Sequence, residues 1–261
     1  MTNRRRIPVA LSIAGSDSGG GAGIQADLQT FASLGVHGAT AITCLTAQNP
    51  KRLTGIHPAT PQFVRQQIEA VFAELPPAAT KTGMLFSAPI IDAVADFFRG
   101  KRHYLIVDPV MVSTSGAALL KPDAVQTLKK RLLPLATLVT PNVDEAEMLT
   151  KQRIKDPEDL RTAARRIHAD HGCAVLAKGG HLRGLNEAVD IFFDGRVELV
   201  LVTPFVRGVA THGTGCTYSA AVAAHCARGL SLAPAVQRAK EFIASAIRGS
   251  VRVGRHQVLG W

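Results

Sequence analysis

Aromatic residues make up only 5% of the chain, with a single tryptophan. A platform for single-stranded nucleic acid relies on base stacking, so that class is disfavoured. Cysteine is scarce as well: four residues, at 44, 173, 216 and 226, with no pair at metal-site or redox spacing. Reduced thiols in the cytoplasm are the expectation. Acidic residues number 20 against 30 basic ones, leaving a net charge of +10. That balance favours an anionic partner such as a nucleotide, a phosphorylated metabolite or nucleic acid. The one dense basic run, Arg4-Arg5-Arg6, reads as a solvated arm, and the other basic residues are too scattered for a DNA-binding stripe. Long apolar runs are missing. Ile7 to Ala14 spans only eight residues before Ser16, Asp17 and glycines, which suits a first strand better than a signal peptide. Val209 to Ala227 lacks charge but is rich in Gly, Thr, Ser and His, so it is not a membrane span. No dinucleotide-binding glycine fingerprint and no Gly-x-x-x-x-Gly-Lys-Ser/Thr loop occurs.

What is present is an ordinary globular composition: 261 residues, 46% hydrophobic and 19% charged. A chain of that length can bury most of its apolar surface without disulfides or a structural metal. With no repeat, low-complexity tract or long linker, residues 1–261 read as one domain. Short β runs alternate with helical periodicity. Strands are expected at 7–14, 39–45, 80–85, 104–110, 135–140 and 174–178. A hairpin is expected at 187–202, around an Asp194-Gly195 pair suited to a type I′ turn. Helices are expected from Ile24 to a stop near Gly35, after Thr60-Pro61, after Ser87 up to Gly100, through Ala124, Leu128 and Leu132, and at 144–150, 157–170, 215–227 and 233–247. The alternation implies an α/β fold: a largely parallel central sheet with helices on both faces and an antiparallel edge hairpin.

Four strand-following loops carry residues able to do chemistry, and such loops converge at the carboxyl edge of an open α/β sheet. Gly15 to Gly23 is glycine-rich and lets backbone amides approach a ligand. Asp108-Pro109-Val110-Met111 places a carboxylate able to hold a metal, orient a ligand or simply cap a turn. In Thr140-Pro141-Asn142-Val143-Asp144-Glu145, Asn142 and Glu145 share a helical face. They suit either Mg²⁺ or an N-cap with its capping partner. Lys178, ahead of Gly179-Gly180-His181, has the reach to contact a phosphate. His212-Gly213-Thr214-Gly215-Cys216-Thr217 opens a helix, where free amides and the helix dipole attract anions. The same field is expected to lower the Cys216 thiol pKa. Cys44, Cys173 and Cys226 read as core residues. His168 and His171, three apart, lack further ligands at matching spacing.

Taken together, these segments resemble the hydroxymethylpyrimidine/phosphomethylpyrimidine kinases of thiamine biosynthesis, members of the ribokinase-like superfamily. The resemblance runs from about Val9 to Ile247. It rests on Ile13 to Leu28, Thr46-Ala47-Gln48-Asn49, Lys81-Thr82-Gly83-Met84, Asp108 to Met111, Thr140-Pro141-Asn142 with Glu145, Lys178 to His181 and Thr211 to Thr217. It implies transfer of the ATP γ-phosphoryl group to the hydroxymethyl of 4-amino-5-hydroxymethyl-2-methylpyrimidine, then phosphorylation of the monophosphate to the diphosphate. It further implies a pyrimidine pocket lined by Gly15, Ala22, Asp27, Gln48, Met84 and Val110, and Asp108 and Glu145 at Mg²⁺ with Asn142 organising it. Lys178, Asn142, Thr211, Gly213 and Gly215 are implied on ATP, and Gly213, Thr214, Gly215 and Cys216 as the catalytic anion hole. Cys216 is the expected general base. The implied partners are ATP and a small pyrimidine, with neither nucleic acid nor membrane, in a homodimer. The chain departs from the family in its ending, Val253 to Trp261, and in the loop Arg207 to Ala210, which lacks the polar residues common there. A pyridoxal/pyridoxine kinase is the runner-up, because some of those also place cysteine at the anion hole. A non-catalytic pyrimidine sensor is the reading from outside the enzymes.

Overall fold

Strand β1, Val9–Asp17, lies near the middle of the sheet and organises it. Its side chains alternate between two apolar layers: Leu11 and Ile13 enter one buried core, Ala10 the other. A strand buried on both faces is what a parallel sheet covered by helices requires. The computed structural model describes residues 6–111, 120–180, 182, 186–209 and 212–261. Helix α1, Gly23–Ser33, returns the chain to β2, His37–Asn49, which lies parallel to β1. Strand β3, Arg52–Pro58, folds back antiparallel on β2, and α2, Pro61–Glu74, carries the chain to β4, Ala79–Thr82, on the other side of β1. The strand order thus reverses beside β1, the position at which open α/β sheets form their ligand crevice.

The sheet continues through β5, Tyr104–Val107, β6, Leu138–Val139, and β7, Ala174–Lys178, all parallel. It ends in the antiparallel hairpin of β8, Glu187–Phe193, and β9, Glu198–Pro204. Helices α2, α3 (Ala88–Phe98), α4 (Pro122–Thr127), α5 (Val143–Thr150) and α6 (Pro157–His171) cover one face. Helix α1, with α7 (Thr214–Ala227) and α8 (Leu232–Arg248), covers the other. A small hairpin of β10, Val251–Val253, and β11, His256–Val258, ends the chain.

The expected alternation holds, with five differences. Strand β3 and the extension of β2 to Asn49 fall beyond the expected strand. Residues 52–58 are mostly exposed, so they carry no buried apolar pattern, and both sheet edges are therefore antiparallel. The 194–197 loop has four residues instead of a two-residue type I′ turn, because the Asp194 carboxylate accepts the amides of Arg196 at 2.9 Å and Val197 at 2.7 Å. Thr60 caps α2 by accepting from the Phe63 amide at 3.2 Å, whereas Ser87 stands at the start of α3 without a capping bond. Helix α4 runs on through a π-helical turn, Leu128–Leu132, and a 3-10 turn, Leu133–Leu135. The unexpected C-terminal hairpin folds back onto α8: Leu259 is buried, and the Gly260 amide donates to the Ala246 carbonyl at 3.0 Å. Among the described residues, no helix is long and apolar enough to cross a membrane.

Candidate active site

The carboxyl ends of β1, β2, β4, β5, β6 and β7 bring the singled-out loops to one edge, where the N-terminus of α7 meets them. The contact between the first and last of these loops is tight. Gly213 has φ +81°, and a methyl group added there would overlap the Gly21 carbonyl oxygen. The His212 ring lies against Gly21, and its Nε2 is 3.3 Å from the Asp17 carboxylate. Asp17 also accepts the amides of Gly19, Gly21 and Ala22 at 2.8, 3.2 and 2.9 Å, which fixes the glycine-rich loop. These bonds outweigh burial and hold the Asp17 carboxyl below its usual range. Neither Asp17 nor His212 was singled out from the sequence for this clasp. The partners are 195 residues apart, and the only signal was their presence within the matched motifs.

Asp108 is buried at the end of β5. Its Oδ1 accepts from the Lys178 ammonium at 3.1 Å and the Thr140 hydroxyl at 3.2 Å, and its Oδ2 accepts from Ser219 at 3.2 Å. Of the two sequence readings of Asn142 and Glu145, the structure shows the N-cap with its capping partner. The capping box is complete: the Asn142 side chain accepts the Glu145 amide, and Glu145 Oε2 accepts the Asn142 amide, each at 2.9 Å. Glu145 Oε1 also accepts the Met111 amide at 3.2 Å, and the carboxyl is 2% exposed. Burial raises its pKa to about 7, with the Asp108 charge adding to the rise and the Lys178 charge opposing it. Among the described residues, no three His, Cys, Asp or Glu side chains form a metal cage. Asp108 and Glu145 supply two carboxylates, the number typical of a cation held mainly by water and phosphate oxygens. Lys178 reaches the same place, since a Cβ on Gly215 would lie 3.3 Å from Lys178 Nζ and 3.9 Å from Asp108 Oδ2.

Cys216, in the first turn of α7, departs from expectation. Burial pushes its thiol up to about 11, and the Asp27 and Asp108 charges add to the rise. The Lys81 ammonium and the Gly23 amide favour the thiolate but do not offset this. Burial and the two carboxylates therefore outweigh the groups that favour the thiolate; the other three cysteines are buried and, like Cys216, free.

The pyrimidine-side residues divide. Gly15 sits beneath Cys44 and Met84; a Cβ there would lie 2.9 Å from Cys44 Sγ and 3.8 Å from Met84 Sδ. Ala22, Gln48, Met84 and Val110 are each partly exposed. Val110 adopts φ +37°, a backbone conformation rare for a β-branched residue, as the chain turns out of Asp108-Pro109. The Gln48 backbone is tied to the Ser18 hydroxyl through two 2.8 Å bonds, leaving the side-chain amide to face other partners. Asp27, expected on the pocket wall, has no exposed surface. It is bound by Lys81 Nζ at 2.9 Å to both oxygens and by the Ser12 hydroxyl at 2.5 Å. It lies below the crevice as the counterion of a wholly buried lysine, itself pushed above its usual range by that carboxylate. The signal for this pair was a lysine inside the four-residue buried strand β4. Thr211 lies outside the described residues, as does Ala210 of the Arg207 to Ala210 loop.

The phosphomethylpyrimidine kinase family model matches residues 17–260. The chain belongs to the phosphomethylpyrimidine kinase family. It is a kinase with a ribokinase-like α/β fold. It is 50% identical over 256 residues to the thiamine biosynthesis bifunctional protein ThiED of Geobacter sulfurreducens, covering 96% of this chain but 52% of that one, so the chain spans about half of that relative. It is 47% identical to the hydroxymethylpyrimidine/phosphomethylpyrimidine kinase of Synechococcus elongatus, covering 96% of this chain and 95% of that protein. Among solved structures, the ADP complex of Bacillus subtilis pyridoxal kinase superposes with a TM-score of 0.90 at 38% identity, covering 97% of each chain.

Proposed function

We propose that this kinase transfers the ATP γ-phosphoryl group to the hydroxymethyl group of 4-amino-5-hydroxymethyl-2-methylpyrimidine, and then phosphorylates the monophosphate to the diphosphate. The observation that carries this reading is the meeting of Lys178, Asp108 and the Gly213–Cys216 helix start beside the Gly15, Ala22, Gln48 and Met84 crevice. Phosphoryl transfer needs positioning and charge stabilisation more than covalent chemistry. The α7 amides of Gly213 to Cys216 face the phosphate position with the positive end of a helix dipole. Lys178 neutralises the nucleotide phosphates, and Asn142 holds the turn that carries Glu145. The ring of the alcohol lies over Gly15 and Met84, with Gln48 at its amino edge and Ala22 and Val110 closing its sides.

The residues fit Mg²⁺. Asp108 and Glu145 are two buried carboxylates, and each ionised carboxylate has about four lone-pair sites, so the bonds they already accept leave positions free. Bound there, Mg²⁺ would neutralise charge on the transferring phosphates. Asp108 and Glu145 would hold it or its waters, and Lys178 would balance the remaining negative charge.

The pyridoxal kinase reading rests on the 38% identical structure, and the 47% identical pyrimidine kinase favours the pyrimidine. Turnover with ATP, Mg²⁺ and each alcohol in turn separates the two. Greater kcat/KM for the pyrimidine than for pyridoxal is expected. Turnover of pyridoxal alone overturns the reading, and turnover of neither alcohol leaves the sensor. A cytoplasmic setting accords with the four unpaired cysteines. A homodimer accords with the exposed apolar side chains Leu45, Leu53 and Ile56 on β2 and β3, and sedimentation equilibrium checks it.

A further inference from the structure

Beside β7, the strand that carries Lys178, β8 and α8 share a buried ion pair. Asp190 is 3% exposed and Lys240 is 6% exposed. Lys240 Nζ donates to Asp190 Oδ2 at 2.7 Å and to the Ala188 carbonyl at 3.0 Å. The lysine emerges from the apolar side of α8, among Val236, Ala239 and Ile243. Burying two charges carries a desolvation penalty, and well-packed apolar residues commonly serve the fold equally well. Stability alone therefore gives no reason for this pair.

The other oxygen of Asp190 supplies one. Oδ1 accepts the backbone amide of Gly179 at 2.9 Å, and Gly179 directly follows Lys178. Asp190 stands opposite Lys178 in the β7–β8 register. The two flanking peptides are held as well. The Lys178 amide donates to the Pro141 carbonyl at 2.8 Å, and the Gly179 carbonyl accepts from Leu182 at 2.9 Å. A methyl group at Gly179 would overlap the Val189 carbonyl oxygen and lie 2.8 Å from Leu160 Cδ2. The lysine that leaves this peptide ends 3.1 Å from Asp108. A misplacement of about 1 Å at a reacting group can cost on the order of 10²-fold in rate, so a stiff mounting for this side chain has a purpose.

We propose that Asp190, held by Lys240, is a positioning residue that fixes the Lys178–Gly179 peptide and so aims the Lys178 ammonium at the nucleotide phosphates. The proposal rests on the reading of Lys178 as a phosphate contact. Lys240 links this mounting to helix α8.

The test is binding of the β,γ-methylene analogue of ATP, measured by calorimetry with Mg²⁺ present, alongside thermal unfolding. The exchange Asp190→Leu with Lys240→Met removes both charges. It is expected to weaken analogue binding about tenfold while the unfolding temperature holds or rises. In a Lys178→Ala background the same exchange is expected to change binding by less than twofold. Unchanged affinity in the exchanged protein, or an equal loss without Lys178, overturns the proposal. The milder pair Asp190→Asn with Lys240→Met leaves no charge but keeps an acceptor for Gly179. It is expected to retain near wild-type affinity, and a tenfold loss there also overturns the proposal. Wild-type affinity in Lys178→Ala alone is a different result, because it removes Lys178 from the nucleotide site itself.

Discussion

Replacing Cys216 by serine separates two mechanisms that the sequence leaves open. The thiol is held at about 11, so at pH 8 it lies three units below its midpoint and only about one molecule in a thousand carries a thiolate. A base acting from that population makes log kcat climb by one per pH unit through neutrality, with no plateau below about pH 11. Such a base contributes roughly 10²–10⁴-fold, so Cys216→Ser should lose most of that factor and flatten the profile. A loose transition state needs little help from a base. In that case the α7 amides do the work, and the thiol merely fills the space beneath Gly23 and beside Lys81. Serine then preserves size and backbone, and kcat stays near normal. The burial in this structure favours the second outcome. The base remains available only if binding of the phosphates and alcohol brings positive charge closer to the sulfur than Lys81 already does. The assay is single-turnover phosphorylation from pH 6.5 to 9.5, with a burst test to show that chemistry is being measured. A Cys216→Ser enzyme with near-normal single-turnover rate and an unshifted profile would refute general-base catalysis.

Gly213→Ala should reduce kcat by about 10²-fold or more, since a Cβ overlaps the Gly21 carbonyl oxygen and forces the two loops apart by an ångström or so; near-normal kcat would show that the loops part without consequence. Glu145→Gln should raise the Mg²⁺ concentration giving half-maximal rate, and an unchanged Mg²⁺ titration removes Glu145 from the metal site. Gln48→Leu should weaken pyrimidine binding by roughly 1–3 kcal/mol, by analogy with a glutamine amide pairing with adenine, and leave nucleotide affinity intact; the reverse pattern would place Gln48 in the other pocket. His103 is held near 4 by burial, so its neutral form is favoured in the folded state. Falling pH therefore protonates the unfolded chain first, and stability declines from about pH 6.5 down to about 4. Urea unfolding at pH 7 and 5 should show wild type losing up to about 2 kcal/mol that His103→Gln does not lose, and parallel losses refute this.

What the sequence made legible was local or one-dimensional. Period-two and helical apolar patterns located the strands and helices, because each buries a face through residues close in the chain. The capping box at Asn142 and Glu145 was readable because its members are three apart. Strand β3 escaped because exposed residues carry no burial pattern. The charge pairs escaped for a different reason. Asp27 with Lys81, Asp17 with His212 and Asp190 with Lys240 join residues 54, 195 and 50 positions apart. Nothing in either member's neighbourhood names its partner.

The same limit explains the two site readings that changed. Asp27 looked like a ligand-facing carboxylate because its motif stands beside the glycine-rich loop, yet one helical turn carries it beneath the crevice, where Lys81 neutralises it. Cys216 looked acidic because a helix N-terminus is visible in sequence, whereas the burial and the Asp27 and Asp108 charges that raise its pKa are not. Both corrections concern the same volume. A buried ammonium, its carboxylate and the Cys216 thiol lie together under the reacting groups, and among them Lys81 is the one charge that favours a thiolate. Whatever proton the alcohol loses must leave through this neighbourhood or directly to phosphate oxygens. Lys81→Met paired with Asp27→Leu therefore sharpens the Cys216 result. If sulfur takes the proton, removing the pair deepens the rate loss below pH 9 while Cys216→Ser hides that effect. If phosphate takes it, the pair and Cys216 act independently, and their effects on rate simply multiply.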